Sequence, residues 1–254
     1  MPRPKRSPVP REAPARRTQF ADVYRRHARV RDLAERVYRT VREVIFRGLL
    51  HDGERLQERQ LADALGVSRT PVRAALQRLN SEGFISSDPR QGFVVAPLTL
   101  QDIEDIYVLR VALEGVAARL AAKVATESDL TVMHHIEEQI EAALARGDVD
   151  AMTILNARFH DELCRAAKNS RLTALTTRLH DFVQRLGRTT LSDPARGAQS
   201  VAEHRALIEA IRRRDPEAAE RIGQEHMAHA KEVRVAMYAA AHHLEHPRTA
   251  ASGA

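Results

Sequence analysis

The sequence holds one cysteine, Cys164, no tryptophan, and only six phenylalanines and four tyrosines in 254 residues. A single thiol excludes a disulfide framework and points to a reducing compartment. So few aromatics mean that any core is aliphatic. No apolar run approaches the ~20 residues a membrane helix needs. The Pro- and Arg-rich opening has no apolar h-region, which argues against a secretory signal. The expectation is a cytoplasmic protein with no membrane partner. Enzyme fingerprints are also missing: there is no G-x-S-x-G, no P-loop, no dinucleotide motif and no H-E-x-x-H. The nearest string to the last, His160-Asp161-Glu162-Leu163-Cys164, lacks the second histidine.

What is present is charge, unevenly placed. Charged residues make up 29% and apolar residues 43%, a globular composition with length for two modest domains. Through Pro97 there are 20 Lys and Arg against 11 Asp and Glu; from Leu98 onward, 20 against 23. A basic front half joined to a mildly acidic back half suggests that the front meets a polyanion. Histidine is skewed the other way, with only His27 and His51 before position 98 and ten after it.

Residues 1–28 carry five prolines and many arginines, and read as a disordered basic arm. From Asp32 a helical stripe follows at Leu33, Val37, Val41, Val44 and Ile45. A short helix from Glu58 to Leu65 is stopped by Gly66. Ser68 can cap the next helix, which runs to about Ser81 with Pro71 in its first turn. Phe84–Ser87 and Phe93–Val95 read as strands around a turn-rich tip, Asp88 to Gly92. Three helices and a two-stranded wing make residues 29–97 a winged helix-turn-helix.

Beyond Pro97 no strand pattern occurs. Helices are expected from Thr99 to about Ala125, from Ser128 to about Arg146, and from Gly147-Asp148 to near Ala167. Three more run from Asn169-Ser170 to about Thr190, from Ala198 to Arg213, and from Pro216 to Leu244, with Ser192–Gly197 as a loop. The fold class is therefore mainly α. The winged head joins an all-α bundle of about six helices over 98–245, and 246–254 is a flexible tail.

In the head, Arg69 and Arg73 are four apart and share one face at the start of the second motif helix, where a recognition helix reads base edges. Arginine bidentate to guanine is the commonest specific contact. Val72, Ala75, Leu76 and Leu79 form the opposite, packing face. Ser68, Thr70 and the helix N-terminus suit phosphate oxygens. Arg59 can reach the backbone or a base. Arg90, Gln91 and Gly92 make a donor-rich tip where a wing would enter the minor groove.

In the back half, Asn156 and His160 lie on one face of the third bundle helix. His204 and His226 stand 11 residues before and after Asp215, so an antiparallel hairpin puts both at one height. The spacing admits a three-histidine metal site with Asn156 as a polar fourth group, or a hydrogen-bonded histidine core. Arg110 beside an apolar stripe is either an ion pair with Glu114 or a clamp for a carboxylate. Cys164 reads as a small buried residue. His134-His135, His229 and His242-His243 read as surface or packing positions, and Arg212 to Arg214 as a basic helix C-terminus. Glu203 and Glu225 adjoin candidate ligands, but helix neighbours point ~100° apart, so neither serves as a general base.

The string LADALGVSRTPVRAALQRLNSEGF followed by a wing resembles the GntR family of bacterial transcription regulators, and DIEDIYVLRVALEGVAARLAA resembles the start of the FadR-type ligand-sensing (FCD) domain. The resemblance covers about residues 30–240. It implies homodimers on palindromic operator DNA, with contacts from the positions matching Arg59, Arg69, Arg73 and Gly92. NARFHDELCRAAKN and EHRALIEAIRRRD…QEHMAHA are similar to the subgroup that binds a divalent metal through one Asp and three His. That implies His160, His204 and His226 as ligands, with Asn156 where the family has Asp, and zinc or nickel as the expected ion. An amide in that place either lowers affinity or leaves the site more dependent on an anionic ligand. Asn169 matches a family ligand position, and a helix-start role explains it equally. The function expected is a repressor whose operator binding responds to a small carboxylate. The alternatives are a constitutive DNA-binding dimer with a structural bundle, and a metal-dependent hydrolase.

Overall fold

The computed structural model describes residues 13–88, 92–186 and 189–242, and divides into two compact units, 1–97 and 98–254. Among the described residues there are ten α-helices and one three-stranded sheet. Arg90 and Gln91 of the expected wing tip, and the tail 246–254, lie outside the described residues.

The first unit begins with a helix where an unstructured arm was expected, α1 (Ala13–Arg26). The reason is a short apolar stripe, Phe20, Val23 and Tyr24, all buried. The five prolines all lie before residue 15, so the composition of the whole stretch hides it. Arg36 stacks on the Tyr24 ring at 3.7 Å and donates to its carbonyl at 2.9 Å, fastening α1 to α2 (Leu33–Phe46). Asp32 caps α2, accepting from the Glu35 amide at 3.0 Å.

α3 (Glu58–Leu65) and α4 (Arg69–Ser81) form the helix-turn-helix. Gly66 sits between them at φ +65°, the left-handed conformation that ends a helix cheaply only at glycine. Ser68 is the N-cap residue of α4, though its side chain makes no capping bond. The core between the helices is Leu61, Leu65, Val72, Ala75, Leu76 and Leu79, all buried. The wing pairs β2 (Ile85–Asp88) with β3 (Gly92–Val95), Ser86 opposite Val94. A further strand, β1 (Arg55–Leu56), joins the other edge of β3, so the sheet has the order β1-β3-β2. Two residues are too short for a periodic signal, which is why the wing reads as two-stranded in the sequence.

The second unit is six α-helices: α5 (Leu100–Val124), α6 (Glu127–Ala145), α7 (Val149–Ala166), α8 (Ser170–Gln184), α9 (Pro194–Arg212) and α10 (Pro216–Ala241), with a 3-10 turn at Thr190–Ser192. Reciprocal capping boxes start α5 (Thr99 with Asp102) and α6 (Thr126 with Asp129). Thr126, not Ser128, is therefore the cap of α6. The expected loop at 192–197 is shorter than its sequence suggests, because Asp193 caps α9 and Pro194 occupies its first turn. α8 correspondingly ends at Gln184 rather than near Thr190.

α5 and α10 cross at very close range. A Cβ on Gly223 would stand 3.2 Å from the Ala118 Cβ and 3.5 Å from the Gly115 Cα. Alanines 117, 118, 121 and 122 of α5 and Ala219 of α10 extend this thin seam, and all are buried. At the far end of α10, the Tyr238 hydroxyl donates to the Leu98 carbonyl at 2.8 Å.

Candidate functional site

The DNA-reading candidates lie at the start of the helix-turn-helix. Ser68, Arg69, Thr70 and Arg73 are all exposed, and Gly92, which opens β3 opposite Asp88, is exposed too. Their opposite face packs inward, so α4 presents both arginines to solvent as its apolar periodicity dictates. Arg59 on α3 has 85% of its side chain exposed and approaches only Asp63, at 4.0 Å, among the ion pairs. Sequence reasoning overlooks Glu58, which holds Arg69 and Arg73 of α4. Arg73 donates through Nε and Nη2 at 3.0 and 2.9 Å, and Arg69 through Nη2 at 3.3 Å. The only signal for Glu58 is its place four residues before Ala62 at a helix start, which says nothing of α4.

In the second unit the structure gathers three histidines from three helices. His160 on α7, His204 on α9 and His226 on α10 are all buried, and one ring nitrogen from each lies within 4.8 Å of the others. Each ring has a carboxylate at its Nδ1. Glu137 of α6 lies 2.7 Å from His204, Glu203 of α9 lies 2.7 Å from His226, and Glu114 of α5 lies 2.7 Å from His160. An ionised carboxylate can only accept, so Glu137 accepts a hydrogen bond from His204 Nδ1, whereas His226 Nδ1 faces both Glu203 and, at 3.1 Å, an Arg196 N–H, and His160 Nδ1 has no hydrogen-bond geometry to Glu114. Burial pushes the His160 imidazole down to about 4 and, with His204 beside it, holds His226 well below the usual histidine range. Both are neutral at pH 7. His204 Nε2 and His226 Nε2 lie 3.2 Å apart. Phe159 stacks on the His204 ring at 3.8 Å and fixes its plane.

A cavity of about 50 Å³ adjoins the cluster, lined by Asn156, His160 and His226 together with Arg110, His180 and Arg196. At ~10–15 Å³ of such volume per water, it holds only a few water-sized groups. Arg110 and Glu114 form the ion pair allowed by their i, i+4 spacing, through Nε at 3.0 Å and Nη2 at 2.8 Å. Both are buried, and Arg110 also lines the cavity. Glu114 further accepts from His180 at 3.1 Å. Burial opposes charge on His180, but Asp161 and Glu114 outweigh it and raise its pKa. Arg196 donates to Glu203 at 2.7 Å and to the His226 carbonyl at 3.1 Å. Glu203, buttressed by these partners, is held down to about 2 despite the cost of its burial.

The Asn156 side-chain oxygen is buried beside the cavity with no hydrogen-bond partner. Asn169 lies elsewhere. Its carbonyl oxygen accepts from the Arg171 and Leu172 amides at 3.1 Å, capping α8, and it does not line the cavity. Cys164 is buried, and burial pushes its thiol up to about 12. The sequence reading missed Glu137, His180 and Arg196. Arg196 was hidden in the supposed loop, and Glu137 sits in an acidic run that reads as solvated. Glu203 was set aside because neighbours on a helix diverge. It does diverge from His204, but toward His226 on the next helix.

The residues present fit a divalent metal. Three buried imidazoles bring one ring nitrogen each within 4.8 Å of the others, and an unpartnered buried amide oxygen stands beside them.

Comparison with known proteins places both units. Residues 33–95 match "Bacterial regulatory proteins, gntR family" and residues 105–229 match "FCD domain". The chain is 33% identical to YdhC, an HTH-type transcriptional regulator of Bacillus subtilis strain 168, over 76% of this chain and 86% of that one. It is 26% identical to RspR, an HTH-type transcriptional repressor of Escherichia coli K12, over 76% and 85% of the two chains. Among solved structures, Escherichia coli McbR/YncC superposes with a TM-score of 0.67 at 25% identity, covering 82% of this chain and all of that one. Those relatives are regulators rather than enzymes, so the hydrolase alternative falls. No helix among the described residues is long and apolar enough to cross a membrane. The chain belongs to the GntR family of bacterial transcriptional regulators, with an FCD domain as its second unit.

Proposed function

We propose that this regulator is a ligand-gated, operator-binding homodimer and acts as a repressor. Arg69 and Arg73 read bases. Ser68, Thr70 and Arg59 meet the phosphate backbone, with Gly92 and its neighbours Arg90 and Gln91 at the minor groove. GntR regulators bind operator DNA and typically form dimers, and one small head buries too little surface for tight specific binding.

The second unit holds a divalent ion, zinc or nickel, through His160, His204, His226 and Asn156. The observation that carries this reading is the gathering of three buried imidazoles from three helices, one ring nitrogen of each within 4.8 Å of the others, beside the unpartnered buried amide oxygen of Asn156. When bound, the ion supplies a positive charge to which an anionic oxygen can coordinate. The chain's own residues do the rest. Arg110 presents guanidinium N–H groups to a carboxylate, Asn156 adds no charge of its own, and the small cavity limits the effector to a few heavy atoms.

Metal content of protein purified without chelator, measured together with its thermal midpoint against small mono-, di- and hydroxy-carboxylates with and without EDTA, tests the reading. A near-stoichiometric divalent ion is expected, with a ligand shift that EDTA abolishes. A carboxylate at ~100 times its dissociation constant adds ~2.7 kcal/mol. Absence of both metal and shift across the panel, in a chain that still binds DNA, would replace this reading with a bundle that only dimerises.

A further inference from the structure

Glu58 opens α3, yet its carboxylate lies between the two guanidinium groups of α4. Arg73 is gripped side-on, Nε to Oε1 at 3.0 Å and Nη2 to Oε2 at 2.9 Å, while Arg69 reaches Oε2 at 3.3 Å. Glu58 has 18% of its side chain exposed, against 64% for Arg69 and 55% for Arg73, so it stands behind the pair. The Arg73 hydrogen bonds hold its carboxyl below the usual carboxylate range, so it is ionised at neutral pH.

An exposed ion pair of this kind contributes little to folding stability. Its geometric effect is larger. Two guanidinium groups one helical turn apart repel, and each long side chain samples many rotamers when free. A carboxylate on the Nε–Nη2 edge fixes the plane of Arg73 and occupies that edge. It leaves Nη1 and the second Nη2 hydrogen outside the pair with Glu58. Guanine accepts two hydrogen bonds, at O6 and N7, from one guanidinium edge.

We propose that Glu58 is a positioning and specificity-determining residue for base reading. It locks Arg73 so that the free end of the guanidinium meets a guanine. Its negative charge also weakens the grip of the same arginines on phosphates of unrelated sequence. The inference rests on the reading that Arg69 and Arg73 face DNA.

The experiment uses the full chain, its Glu58→Gln and Glu58→Ala variants, and two duplexes of equal length: one recovered by the wild type from a randomised library, and one of random sequence. The variants are expected to bind the selected duplex more weakly and the random duplex equally or more tightly. The ratio of the two affinities then falls by roughly 5- to 100-fold, the discrimination of one bidentate contact. Their salt dependence on the random duplex steepens as freed guanidinium groups reach phosphates. An unchanged thermal midpoint separates this from misfolding, which weakens both duplexes together. Equal weakening on both, or an unchanged ratio, overturns the role of Glu58. Arg73→Ala, measured alongside, isolates the underlying reading. If it relaxes one base position while the Glu58 variants keep the wild-type ratio, only Glu58 is misassigned. If Arg73→Ala leaves base preference intact, or the wild type recovers no consensus, base reading by Arg73 fails and the Glu58 role fails with it.

Discussion

The three buried imidazoles differ in what stands behind them, and that difference can be measured one residue at a time. Glu137 touches the site only through His204 Nδ1, at 2.7 Å, and both side chains are essentially sealed from solvent. Replacing it by Gln keeps the shape but can present an N–H to a ring nitrogen that already carries a proton. Glu137→Gln is expected to lower metal affinity by ~10–100-fold, read by competition with a chromophoric chelator. Asn156 works in the opposite sense. Asn156→Asp adds a negative charge next to the three imidazoles, so divalent binding without any carboxylate should tighten. The stabilisation gained from a carboxylate effector should shrink in parallel, which a thermal-shift series with and without effector checks. If Asn156→Asp left both quantities unchanged, Asn156 would not be a ligand.

Among the elements, helix bounds are legible at starts and ends alike wherever a capping residue or a glycine marks them. Asp215-Pro216 announces α10 in the sequence, and the structure places the Asp215 carboxylate on the Ala218 amide at 3.0 Å. The same Asp-Pro signature at 193–194 starts α9. It passed unread because Ser192 and Gly197 around it suggest a loop. α1 was lost to averaging, since its buried triplet follows a proline-rich stretch. The histidine gathering was readable from the 11-residue symmetry about Asp215. The carboxylates were not, because each reaches across to a different helix and leaves no periodic trace. One element also carries a pH signature. Asp129 completes the capping box of α6 with Thr126 and bonds Lys168 at 2.8 Å, and the Lys168 and Thr126 hydrogen bonds draw its pKa down to about 2. A depressed carboxyl adds stability above its unfolded pKa of ~3.9, and that contribution disappears as pH falls toward 2. Asp129→Asn should thus be less stable than wild type at pH 6, with the gap closing below pH 4 in urea titrations. A constant gap would mean that the capping geometry matters and the charge does not.

At the scale of the molecule, the basic first unit and the acidic second one divide the labour of long-range attraction. Duplex affinity should fall steeply with salt, by ~0.9 in log K per log unit of salt for each phosphate neutralised. Arg59, solvated and poorly paired, is the cation best placed to contribute one such contact. Arg59→Ala is expected to flatten that slope by about one unit and to weaken all duplexes alike, as fluorescence anisotropy across a salt series would show. A loss confined to one base position would make Arg59 a base reader instead.

The glycine-lined crossing of α5 and α10 has a mechanical corollary. α10 is a continuous rod in which His226 and Tyr238 are 12 residues apart, ~18 Å along the axis. Its first third is clamped against α5 at Gly223, less than one turn before His226, and its far end is tied to Leu98, the first residue of its own unit. A side chain added at Gly223 has no slack to take up, so it would displace the helix that carries His226.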